Sequence, residues 1–189
     1  MKRIAIFASG SGSNAEKIIE YFGTDSDAEI ALIVTNKSDA YVLERAKKFN
    51  ITSKVVKGNK ELRSIQFSEF LQEQKIDLIV LAGFLLLIPK LLISHFPDRI
   101  INIHPALLPK YGGKGMYGDN VHEAVVQNNE KYSGITIHYV NENYDDGQHI
   151  LQATCPISTT DTAKDVAKKV QKLEHTYFPY TIKQVIEEL

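Results

Sequence analysis

Between Ile4 and Ile103 the chain alternates short, almost wholly apolar runs with stretches whose apolar residues recur at helical spacing. That alternation restricts it to α/β architectures with a buried sheet. Residues 4–8, 29–35, 53–56, 77–82 and 100–103 read as strands. The nearly unbroken apolar character of the second and fourth is what a strand covered on both faces requires. Residues 15–22 place Ala15, Ile18, Ile19 and Phe22 on one helical face. Residues 39–49 and 61–74 read as further helices, and residues 89–96 as a helical turn or short helix. The expected fold is a Rossmann-like, mostly parallel central sheet with helices on both faces.

Beyond residue 103 the texture changes. Residues 105–118 hold two prolines and four glycines, a functional loop or a lid. Residues 120–129 read as a helix. Residues 134–140 alternate apolar and polar, and residues 150–156 form a second run, so an antiparallel addition to the sheet is expected near the C-terminus. Residues 161–189 read as a helix starting near Thr160 and Asp161, which Pro179 should break or kink. With no evident linker, residues 1–189 are expected to form one domain. Residues 1–103 would be the phosphate-binding βα half, and 104–189 the catalytic loop, strands and final helix.

Composition removes several function classes. Twenty-two basic residues against 23 acidic ones leave a formal charge of −1, which gives no global field for nucleic acid. Cys155, the one cysteine, excludes an intrachain disulfide and a multi-cysteine zinc site, and suits a reducing compartment. On its apolar strand it reads as core filler. Asp77, Gly83, Pro89 and Lys90 interrupt the most apolar stretch, residues 76–93, so it does not read as a membrane span. The first residues lack a secretory leader's apolar region. A cytoplasmic protein acting on small molecules, without membrane or nucleic-acid partners, is expected, as monomer or weak homodimer. His-Glu-x-x-His and Gly-x-Ser-x-Gly are both absent, so neither a catalytic metal nor a serine nucleophile is expected.

Three segments carry chemistry. Gly10, Ser11, Gly12, Ser13 and Asn14 lie between the first strand and first helix, where backbone N–H groups can converge on a phosphate. The segment is no Walker loop. The dinucleotide reading is weakened because Thr35-Asn36-Lys37 follows the second strand where a ribose-binding acid would stand. Asn102 and His104 share one side of a strand as it emerges into a loop, and together can address a developing oxyanion. Asp145 lies in a polar turn, residues 141–147. A carboxylate beside His104 could stabilise its charged form and help move a proton. Taken singly, each segment also fits a structural turn, a packed histidine or a solvated loop.

In order and spacing these segments resemble the folate-dependent phosphoribosylglycinamide formyltransferases. The resemblance covers essentially the whole chain. It rests on residues 8–14, on Val34-Thr35-Asn36-Lys37-Ser38-Asp39-Ala40, on Leu81-Ala82-Gly83-Phe84, on Ile101-Asn102-Ile103-His104-Pro105-Ala106-Leu107-Leu108-Pro109, and on His138-Tyr139-Val140 leading to Asp145-Asp146-Gly147. It implies transfer of a formyl group from 10-formyltetrahydrofolate to the amine of a phosphoribosyl glycinamide, without metal. It also implies that Asn102, His104 and Asp145 are the catalytic trio, with a protonated His104 assisting Asn102 at the formyl oxygen. Gly10 to Asn14 would form the phosphate loop, Phe84, Leu85, Leu86, Leu87, Ile88 and Asp145 the folate pocket, and Glu174 a contact to the glycinamide end. Two features depart from the pattern: Leu85-Leu86-Leu87 replaces a segment that often carries arginine, and the loop 110–120 is long and glycine-rich. Arg63 and Lys60 are candidates for a basic phosphate contact. A formyltetrahydrofolate hydrolase, another formyl-folate transferase and a non-catalytic sugar-phosphate-binding module are the competing readings.

Overall fold

The computed structural model describes residues 1–23 and 28–189. Its strands are β1 (Lys2–Phe7), β2 (Ala28–Thr35), β3 (Ser53–Val55), β4 (Leu78–Leu81), β5 (Ile100–His104), β6 (Tyr132–Tyr139) and β7 (His149–Pro156). The helices are α1 (Ser13–Phe22), α2 (Val42–Lys48), α3 (Gly58–Leu62), α4 (Ile65–Glu73), α5 (Lys90–His95), α6 (Asp119–Gln127) and α7 (Ala163–Glu187). Among the described residues the strands form one seven-stranded sheet in the order β3-β2-β1-β4-β5-β6-β7. The first five run parallel; β6 pairs antiparallel with β5, and β7 antiparallel with β6. The Rossmann-like sheet with its antiparallel addition is therefore present.

Side-chain alternation along β1 sorts the core into two layers. Ile4 and Ile6 pack with Ala15 and Ile18 of α1 and Val166, Phe178 and Ile182 of α7. Ala5 and Phe7 face the other way, toward Phe67 and Leu71 of α4 and Leu92 of α5. The apolar stretch 76–93 resolves into β4, a loop and α5. Among the described residues no helix is long and apolar enough to cross a membrane.

Two helix expectations need correction. The run 61–74 is two helices, α3 and α4, because Ser64 turns extended and caps α4, its Oγ accepting the Phe67 N–H at 3.2 Å. The last helix begins at a capping box formed by Thr162 and Asp165, two residues past the expected start, and it does not end at Pro179. Pro179 lies buried inside α7, between Phe178 and Thr181, which are also buried. Proline forfeits one backbone bond there; burying α7 against the sheet outweighs that loss.

Candidate active site

Strand order reverses between β1 and β4: from β1 the sheet grows through β2 and β3, from β4 through β5 onward. In open α/β sheets ligands bind outside the carboxyl ends of the strands at such a switch point. Ser9 ties this edge together. Its N–H donates to the Gly83 carbonyl at 3.0 Å, its Oγ accepts the Leu85 N–H at 2.9 Å, and the same Oγ donates to Asn36 Oδ1. Residues 10–14 follow at once. Gly12 caps α1 in the left-handed region (φ 71°), and no side chain caps the helix. The first backbone bond of α1 runs from Glu16 N–H to the Gly12 carbonyl, so the N–H groups before it remain available to an anion. Asn14 Nδ2 donates to Glu174 Oε2 at 2.9 Å. Burial pushes the Glu174 carboxyl above its ordinary pKa despite that bond.

Asn102, His104 and Asp145 line one cavity with this loop. His104 Nδ1 lies 3.5 Å from Asp145 Oδ1, and His104 Nε2–H donates to the Tyr111 carbonyl at 2.7 Å. His138 joins them. Its Nδ1–H donates to the Tyr139 carbonyl at 2.8 Å, and its Nε2 accepts from Asn102 Nδ2 at 3.1 Å while standing 3.7 Å from Asp145 Oδ1. Two buried imidazoles thus turn one nitrogen each toward a single carboxylate oxygen, and Asn102 keeps its second amide hydrogen for a ligand. Burial lowers the His104 pKa and outweighs the Asp145 carboxylate, which works to raise it. Burial pushes the Asp145 carboxyl up, but His138, His104 and the Gly113 N–H (2.9 Å to Oδ2) together hold it below its ordinary value. Burial thus opposes the charged, donating His104 expected from the sequence, while the Asp145 carboxylate and the Tyr111 carbonyl favour it.

His138 was not among the residues expected at the site, and Ser9, at the start of the candidate loop, was given no role of its own. His138 faces Asn102 directly across the antiparallel β5–β6 pair. His122 of α6 is also buried and lines the cavity. Thr136, two pairs along from His138 and opposite His104, is fully buried; its Oγ donates to the Ala106 carbonyl at 2.7 Å and accepts the Leu108 N–H at 3.0 Å, fixing the loop after His104.

The Asp145 turn depends on Gly147. A Cβ there would stand 1.6 Å from the Tyr139 carbonyl oxygen, a contact that only backbone movement can relieve. Gly147→Ala is expected to destabilise the protein by about 3 kcal/mol and displace Asp145. Denaturant titration checks this, and unchanged stability would refute it.

The main cavity has a volume of about 450 Å³ and is lined by Gly10–Asn14, by Glu174 beside Asn14, and by Asp145. A smaller adjoining slot of about 80 Å³ is lined by Leu81, Phe84, Leu86, Leu87, Ile88 and Val140, with Asn102, His138 and Asp145 at its polar end. Leu85 departs from its neighbours: it is 44% exposed and lines the main cavity instead. Arg63 and Lys60 are exposed on or beside α3 and line neither space. Cys155 is buried, as a core residue would be. Among the described residues no group of three or more His, Cys, Asp or Glu is arranged to hold a metal ion.

Burial also sets the acid response. It is the largest cause lowering the pKa of His104, His122 and His175. Each therefore binds a proton more readily in the unfolded chain, and stability falls as pH drops below about 6.5. Glu174, with its raised pKa, opposes this as one group against three. Urea midpoints are expected to be lower at pH 5.5 than at pH 7.5; an equal or higher midpoint at pH 5.5 would contradict the assignment.

Sheet order, open helix end and Asn–His–Asp group define a Rossmann-like α/β fold with one cavity at its switch point. The formyl transferase family model matches residues 2–182, and the chain belongs to that family. It is similar to the chloroplastic phosphoribosylglycinamide formyltransferase of Arabidopsis thaliana, 41% identical over 99% of this chain and 66% of the plant protein. It resembles the phosphoribosylglycinamide formyltransferase of Bacillus subtilis at 38% identity over 98% of this chain and 95% of that protein. The crystal structure of the Bacillus halodurans phosphoribosylglycinamide formyltransferase superposes with a TM-score of 0.88 at 38% identity, covering 98% of this chain and 95% of the other. The chain spans 66% and 62% of the lengths of its Arabidopsis and Vigna unguiculata relatives.

Proposed function

We propose that this chain transfers the formyl group of 10-formyltetrahydrofolate to the amine of N1-(5-phospho-D-ribosyl)glycinamide. The observation that carries the reading is a shared cavity: the open N-terminus of α1 and the Asn102–His104–Asp145 group line the same space. A molecule with a phosphate at one end and an amine at the other suits such a space. Residues 1–189 then act as one catalytic unit on small molecules, in a reducing cytoplasm. The slot walled by Phe84, Leu86, Leu87 and Ile88 suits a flat heteroaromatic head, with Asn102 and Asp145 presenting polar groups at its end.

In this reading the phosphate rests on residues 10–14, and Glu174, held by Asn14, faces the glycinamide half. Fixing both reactants supplies much of the rate gain through orientation. The amine attacks the formyl carbon and the carbonyl oxygen gains charge, which the unused Asn102 N–H stabilises. The amine's proton is held between His104 Nδ1 and Asp145. In that state both imidazole nitrogens carry hydrogens, one toward Tyr111 and one toward Asp145, so the burial that disfavours the charged ring is offset at the moment of reaction. The bond from the formyl carbon to the folate nitrogen then breaks, that nitrogen takes a proton, and the formyl group stays on the acceptor.

The test is tetrahydrofolate release from 10-formyltetrahydrofolate with and without acceptor. Release that requires acceptor is expected. Equal release without it would indicate a hydrolase, and no release in either case a binding module.

A further inference from the structure

The main cavity holds two carboxylates, Asp145 and Glu174, and in the proposed function it must also admit a phosphate. The α1 N-terminus offers only about half a positive charge to that anion. Among the described residues, a single lysine or arginine lines the cavity: Lys114. Its exposed ammonium makes no ion pair and no hydrogen bond among the described residues. The cations of α1 and α2 are already engaged. Lys17 pairs with Glu20, Lys48 with Glu16, and Arg45 with Glu16 and the Ser11 carbonyl.

The backbone on either side of Lys114 is unobstructed and anchored at one point. Gly113 N–H is anchored on Asp145 Oδ2. Gly113 and Gly115 both have φ near 91°, and nothing lies within 4 Å of where a Cβ would stand on either. Lys114 thus stands between two glycines whose Cβ directions are open, in the segment that lines the cavity.

We infer that Lys114 is the residue that neutralises the acceptor's phosphate, completing from the glycine-rich loop the site that α1 opens. This rests on the proposed function. A compact ammonium on a flexible stem suits a phosphate already cradled by backbone N–H groups, because it adds charge without demanding a second fixed geometry. It also gives the long loop 110–120 a role that Arg63 and Lys60, outside the cavity, do not fill.

Calorimetric titration of the whole protein with phosphorylated acceptor, and with the same acceptor lacking its phosphate, tests this in the absence of formyl donor. Lys114→Gln is expected to weaken the phosphorylated acceptor about tenfold and leave the dephosphorylated one unchanged. Lys114→Arg, which keeps the charge, is expected to restore most of the loss. Equal weakening of both acceptors, no weakening of either, or a loss confined to donor affinity would each overturn the assignment. Wild-type protein that fails to bind the phosphorylated acceptor would overturn the proposed function as well, so the two failures are distinguishable.

Discussion

Asp145→Asn is expected to lower kcat by about three orders of magnitude while leaving the fold intact. An amide keeps the size of the carboxylate and can still accept the Gly113 N–H. It cannot hold a proton against His104 Nδ1 or balance charge on that ring. The Asp145 side chain is only 12% exposed, so water is a poor substitute at its position. The loss should fall on kcat more than on KM for the acceptor, because the interaction strengthens as charge develops. Steady-state kinetics beside a circular dichroism melt provide the check. A properly folded variant within tenfold of wild-type kcat would remove Asp145 from the chemistry.

Gly12→Ala should damage both the fold and acceptor binding. Gly12 sits at φ 71°, and a Cβ would stand 2.5 Å from Val42 Cγ2 and 2.8 Å from Val42 Cβ. Left-handed strain and the collision together predict a loss of about 3 kcal/mol. Displacing the start of α1 should also raise KM for the phosphorylated acceptor about tenfold or more, with little change in donor KM. Gly10→Ala is the internal control for stability. Nothing lies within 4 Å of a Cβ at Gly10, so its melting temperature should stay near wild type. Equal melting temperatures for the two variants would refute the packing argument; an unchanged acceptor KM in Gly12→Ala would refute the phosphate site.

Much of the fold was legible because the parallel strands are buried on both faces, and such strands show as unbroken apolar runs bounded by helical periodicity. What was lost was local. One polar residue, Ser64, divides α3 from α4 through a side-chain hydrogen bond that leaves no trace in apolar spacing. Pro179 survives within α7 because tertiary burial outweighs local propensity. At the site, Asn102 and His104 could be paired from the period of an extended strand. His138 could not, since its closeness to Asn102 comes from an antiparallel register between distant segments. Its polarity at a buried strand position was the available signal. The electrostatics of His104 were only half legible for a related reason: the carboxylate beside it can be guessed from sequence, but the depth of burial that opposes its charge cannot.

The central claim is that a carbonyl carbon passes from donor to acceptor directly, at the meeting of Asn102, His104 and Asp145. A single-turnover reaction with donor labelled at the formyl carbon, quenched and followed by mass, tests it most directly. The label is predicted to appear on the acceptor amine at the rate tetrahydrofolate forms, with none on the protein. Label found as free formate regardless of acceptor, or attached to the chain, would contradict it.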